Sequence, residues 1–181
     1  MTSAFPPQLA PHARQVAEAL PPSRFGPVGQ WSATLDGGPV TIPRRIYADP
    51  IGSVARTWDP TARLLASCLY TRHHDGYVRQ QNLRRITGSL EPWVLPFVVH
   101  LVGEYVVEIV QDIADALCDL ETEGSAQRRA YAAFVAANPE LLRLIDARAA
   151  SYWDCYYRRP FRRVDDYPGR QVARALARST D

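Results

Sequence analysis

The sequence predicts a mainly α-helical protein: a helical bundle or array around one long central helix at about 92–120, with a small N-terminal β-hairpin at about 30–47. Three observations carry this. Residues 92–120 are apolar around most of a 100° per residue wheel. On that wheel His100, Glu104, Glu108, Gln111, Asp112, Asp115 and Asp119 fall within about a third of the circumference. Such a helix would run roughly 40 Å and must be covered on several sides. Residues 30–47 alternate apolar positions around Asp36-Gly37-Gly38, which reads as two strands and a tight turn. Elsewhere, apolar spacing at three and four residues recurs between Pro and Gly breaks.

Taken in order, residues 1–7 are expected to be disordered, and a short amphipathic helix follows at about 8–20, ended by Pro21 and Pro22. Pro39 and Pro43 remove ladder donors from the second strand, so it reads as an edge that needs a helical surface to lie on. Residues 48–58 read as a loop. Asp59 can cap a helix with Pro60 at its first position, running to about Arg72. After His73-His74-Asp75-Gly76 a second helix continues to Gly88, and the two form a helical hairpin. Beyond 120, a helix ends near Asn138-Pro139, a long one follows to about Tyr157, and a final helix fits 170–178. Domain boundaries follow: an arm at 1–58 packed on a helical domain at 59–181.

Composition excludes several function classes. With 181 residues, 46% of them apolar, the chain can build a full core without staples. Cys68, Cys118 and Cys155 are odd in number and lack CxxC spacing, so neither a disulfide framework nor a zinc ribbon is indicated. No secretory leader or membrane span is read, and a cytoplasmic protein is expected. All 21 basic residues are arginine, and the net charge of +2 does not mark a nucleic-acid binder. No nucleophile elbow or phosphate loop is present, so the expectation is a non-enzymatic protein with no cofactor.

Two stretches can carry function. The first is a polar cluster of Arg72, His73, His74, Asp75 and Arg79 with His100, Glu104 and Glu108. The last three stand at i, i+4 and i+8, a spacing that suits a zinc, iron or manganese site and leaves a metal-dependent enzyme as one alternative. The favoured reading pairs Glu104 and Glu108, largely buried, with arginines of the preceding hairpin. The second stretch interleaves Tyr152, Trp153, Tyr156 and Tyr157 with Arg158, Arg159, Arg162 and Arg163. Tyr, Trp and Arg dominate interface hot spots, so a protein partner is expected there and on the arginine and aromatic surface near 72–85. Arginine and aromatics together also suit nucleic acid, the other alternative, although residues 139–181 hold nine arginines against six acids.

The stretch YTRHHDGYVRQQNLRRI at 70–86, with its turn and following D-x-x-V-R, resembles the inter-helix turn and second helix of a HEAT repeat, which implies a HEAT-like helical array. The segments YTRHHDG, PFVVHLVGEYVVEI and SYWDCYYR together are similar to an uncharacterised bacterial family from arginine-rich, high-GC genomes. That resemblance implies a cytoplasmic bacterial protein and no particular activity.

Overall fold

Asp59 opens the first well-defined helix as its sequence suggests: its carboxylate accepts the Ala62 N–H at 3.0 Å, and Pro60 takes the first helical position, where no N–H is needed. The computed structural model describes residues 1–180. In chain order these form α1 (Ala10–Ala19), β1 (Val28–Leu35), β2 (Gly38–Arg45), α2 (Pro60–Tyr70), α3 (Gly76–Ile86), α4 (Leu95–Leu101), α5 (Val107–Ala116), α6 (Ala126–Ala137), α7 (Pro139–Tyr152) and α8 (Pro168–Arg178). The chain divides into two compact units, Met1–Ile86 and Thr87–Asp181. The α2–α3 hairpin lies in the first unit, where it is stitched to β2. None of the described helices is long and apolar enough to cross a membrane.

In the first unit β1 and β2 pair antiparallel, with Leu35 opposite Gly38 and Asp36-Gly37 as the connecting residues. Gly38 has φ +107°, a conformation that only glycine adopts readily. The pairs Ala33–Val40 and Trp31–Ile42 share one face, on which Ala33, Val40 and Ile42 are buried. The N-terminus differs from expectation. Residues Thr2–Ala4 form a short 3₁₀ turn that packs on β2, and Ala4 and Phe5 are buried. Removing the Phe5 side chain from water is what orders the segment. The 48–58 segment also holds a 3₁₀ turn, at Ser53–Thr57. Helices α1 and α2 pack together, and His12 Nε2 lies 3.6 Å from Asp59 Oδ2 at the head of α2.

The second unit overturns the single long helix. The chain is helical at Leu95–Leu101 and again at Val107–Ala116, but turns and runs extended between them, with Val106 at φ −81° and ψ 106°. Gly103 and the β-branched Val102, Val106 and Val107 are weak helix formers, which lowers the cost of interruption. Close packing exploits the glycine: a Cβ on Gly103 would stand 3.1 Å from the Ile145 Cα on α7. The interruption means that the acidic residues at 104–119 do not form one continuous helical stripe. Glu108 instead sits in the first turn of α5, where a carboxylate faces the positive end of the helix dipole.

The remaining helices form as their caps dictate. Ser125 accepts the Arg128 N–H at 2.9 Å to start α6, Asn138 ends it, and Pro139 starts α7. Helix α8 packs on α5 and α7, burying Val172, Ala173 and Leu176. Gly169 permits that approach, because a Cβ there would lie 2.9 Å from the Tyr167 ring and 3.1 Å from Ala149 Cβ.

Candidate functional site

The α2–α3 turn assembles five of the predicted polar residues. The Ile46 N–H donates to the Arg72 carbonyl at 2.9 Å and the His74 N–H to the Ile46 carbonyl at 3.0 Å, so the end of β2 is clipped onto the turn. Arg79, fully buried, donates from one Nη1 to the His73 and His74 carbonyls at 3.0 and 2.9 Å. Arg72, also buried, donates to the Arg44 carbonyl at 3.1 Å, and Arg45 reaches the His73 carbonyl at 3.2 Å. Carbonyls of a turn and a strand end that the regular ladders leave unused need other donors, and a guanidinium supplies up to five in a fixed fork. Arg72 and Arg79 are therefore structural clamps and not part of an exposed arginine surface.

Around these clamps His73 is buried, while His74 and Asp75 are exposed. Asp75 caps α3 by accepting the Tyr77 N–H at 2.8 Å, and His74 stacks on Tyr47 with ring centroids 5.1 Å apart. His73 Nδ1 accepts the Asp75 N–H at 3.1 Å, which places the proton of the neutral ring on Nε2. Burial lowers the His73 pKa, aided by His74 and Arg79 and opposed by Asp75 and Asp49.

The other three members belong to the second unit. His100 and Glu104 are buried, but Glu108 is exposed and takes part in no ion pair among the described residues, contrary to the expectation of a buried, arginine-paired side chain. The helix break separates positions that one continuous helix would have stacked. Among the described residues no three His, Cys, Asp or Glu side chains gather as a metal centre requires. Cys68 is buried and its thiol pKa is pushed up by desolvation, which suits a core residue and not a nucleophile.

The 151–163 stretch forms an exposed rim. Helix α7 widens into a π-helical turn at Trp153–Tyr157, a distortion that recurs at functional sites. Two hydrogen bonds anchor the turn: Trp153 Nε1 donates to the Phe161 carbonyl at 2.8 Å, and the Tyr157 hydroxyl donates to the Tyr105 carbonyl at 2.7 Å. The second bond satisfies a carbonyl freed by the α4–α5 break, and Glu104 Oε1 accepts the adjacent Tyr105 N–H at 2.9 Å. Tyr157 stacks on the buried Tyr167 with centroids 5.5 Å apart, and Tyr152 contacts both Tyr105 and Tyr156. Burial raises the Tyr157 pKa, which keeps the phenol protonated and able to donate.

Tyr152, Trp153 and Tyr157 are half-buried, whereas Tyr156 is 67% exposed. Arg158 is engaged within the rim: it pairs with Asp154 and lies over the Trp153 ring at 5.5 Å. Arg159, Arg162 and Arg163 are exposed and take part in no ion pair among the described residues. The helix break and the π turn are the site features that sequence periodicity does not reveal. Glycine and clustered valines at 102–107 were the available signal for the first.

Two outcomes follow from this geometry. Tyr157→Phe should lower the unfolding free energy by about 1 kcal/mol, since it removes the hydrogen bond to the Tyr105 carbonyl. Tyr167→Phe should be neutral or slightly stabilising, because the Tyr167 hydroxyl is buried without a hydrogen-bond partner among the described residues. Urea denaturation of the two variants checks the contrast. At His73 the folded imidazole resists protonation, so the unfolded chain gains its proton first as pH falls below about 6.5. The stability this neutral ring contributes is present above that pH and is lost as pH falls through the window down to the depressed folded value. Between pH 7.5 and 5.5 the wild-type denaturation midpoint should drop further than that of His73→Asn, and equal drops would contradict the assignment.

Comparison of the chain with protein families, curated proteins and solved structures finds no match in any of the three.

Proposed function

We propose that this chain is a non-enzymatic binding or scaffold protein that docks a protein partner on the tyrosine and arginine rim at 152–163. The observation that carries the reading is the anchored rim itself. Exposed Tyr156 sits on a π turn held at both ends, and Arg159, Arg162 and Arg163, in no ion pair among the described residues, follow it in the next six residues. A surface ordered before binding loses less conformational entropy on docking, and Tyr and Arg are the residues that contribute most at interfaces. Three cations without acidic partners favour an acidic segment on the other protein. The α2–α3 hairpin supports a HEAT-like scaffold role for residues 70–86, and a bacterial cytoplasmic setting fits the same reading.

Nucleic acid is the competing reading for the same residues. Arg158 covers the Trp153 face and is paired to Asp154, which removes one stacking platform and one phosphate contact from the rim. The protein reading is therefore favoured.

A photo-crosslinking amino acid placed at Tyr156 in the native cell should form an adduct with a partner at an acidic segment. Changing Arg159, Arg162 and Arg163 together to Ala should weaken that complex by about tenfold or more, without lowering stability. Absence of any adduct sinks the proposal. So does salt-dependent retardation of single-stranded RNA or DNA that disappears with Arg158→Ala and Arg159→Ala, which would establish the nucleic-acid reading instead.

A further inference from the structure

We propose that the cleft between α2, α3 and the 50–56 loop binds a small polyanion, either a phosphate ester or a polycarboxylate, through Arg56, Arg63 and Arg85. The cleft has a volume of about 570 Å³, within the range of metabolite sites. Its wall on α2 is the face Arg63, Ala66, Ser67, Tyr70, at i, i+3, i+4 and i+7. In a helical hairpin such a face is ordinarily filled with large apolar side chains. Here small Ala66 and Ser67 leave the floor open, and arginine stands at the mouth.

The walls are ordered before any ligand arrives. Tyr70 is buried, and its hydroxyl accepts the Ile51 N–H at 2.9 Å and donates to the Asp49 carbonyl at 2.7 Å, which ties the 50–56 loop to α2. On α3 the buried Asn82 donates to the Val78 carbonyl at 2.8 Å, and its Oδ1 accepts one N–H of Arg85 at 3.2 Å. That bond aims the Arg85 guanidinium while using one of its five N–H donors.

Charge decides the ligand class. Three guanidinium groups from three separate elements surround the cleft, no Asp or Glu lines it, and none of the three arginines is in an ion pair among the described residues. Asp49 is the carboxylate whose charge reaches the Tyr70 hydroxyl, and it leaves the cleft with a surplus of two cations. Like charges converging on one opening repel, and a ligand with two or more negative charges relieves that repulsion. Phosphate and carboxylate oxygens match the guanidinium fork in pairs. Pro50, Ile51 and Ala55 offer apolar contact to the carbon body of an organic anion. The cleft is walled on three sides, which suits a small molecule and not a polymer backbone.

The test is calorimetric titration of the full chain with inorganic pyrophosphate, glucose 6-phosphate and citrate, each at low and moderate salt. At least one should bind saturably at one site per chain, and which one does so separates phosphate from carboxylate recognition. Arg63→Ala and Arg56→Ala, both exposed positions, should each weaken that binding by about tenfold. Arg143→Ala, outside the cleft, and the triple Ala variant at Arg159, Arg162 and Arg163 should leave it unchanged. The latter control separates this site from the rim at 152–163. Lack of saturable binding by all three anions at millimolar concentration overturns the proposal, as does binding that Arg63→Ala and Arg56→Ala leave intact.

Discussion

The hydrogen bond from the Tyr157 hydroxyl to the Tyr105 carbonyl is the constraint on which the second unit depends. A helix interrupted in mid-course leaves amides and carbonyls that the helical ladder would have used, and each must find another partner, in the protein or in water. Glu104 takes the Tyr105 N–H, Tyr157 takes the Tyr105 carbonyl, and the Glu104 N–H closes a tight turn onto the Leu101 carbonyl at 3.1 Å. With those groups satisfied, α4 and α5 can diverge, and α8 can pack on α5 and α7 through the close approach at Gly169. The same bond fixes the π turn, so the aromatic rim inherits its order from the helix break.

Arginine is the only basic residue type in the chain, and the structure uses it in three ways. Arg72 and Arg79 are buried and donate to main-chain carbonyls, joining β2 to the α2–α3 turn. Arg143, Arg158, Arg170, Arg174 and Arg178 pair with acids, Arg174 with Asp165 at 2.7 Å. Such pairs on exposed surface contribute little individually. The third group comprises Arg56, Arg63 and Arg85 at the cleft and Arg159, Arg162 and Arg163 on the rim. These six are in no ion pair among the described residues, and they are the ones proposed to meet ligands, an organic anion at the cleft and a protein at the rim.

Much of the helical punctuation was legible in the residues. Asp59-Pro60 marks the head of α2, the His73–Gly76 turn separates α2 from α3, and Asn138-Pro139 divides α6 from α7. Each is local chemistry, a cap or a missing N–H, that acts within a few residues. The α4–α5 break was not legible, because a periodic polar pattern persists on both sides of a short interruption and the hydroxyl that stabilises it lies 52 residues away. The exposure of Glu108 follows from the same interruption. Burial of Arg72 and Arg79 was not legible either, because they donate to carbonyls, which no sequence pattern displays. The 50–56 loop carried no periodicity, so its part in a cleft emerges only once Tyr70 is seen to hold it.

Backbone chemical shifts read the interruption at 102–106 directly. Assigned ¹³Cα shifts of the full chain should be helical at 95–101 and at 107–116, and should fall to coil or extended values at Tyr105 and Val106. Tyr157→Phe should perturb the Tyr105 carbonyl shift more than any other in that segment. An unbroken run of helical shifts from 95 to 116 would contradict the account and restore the single long helix.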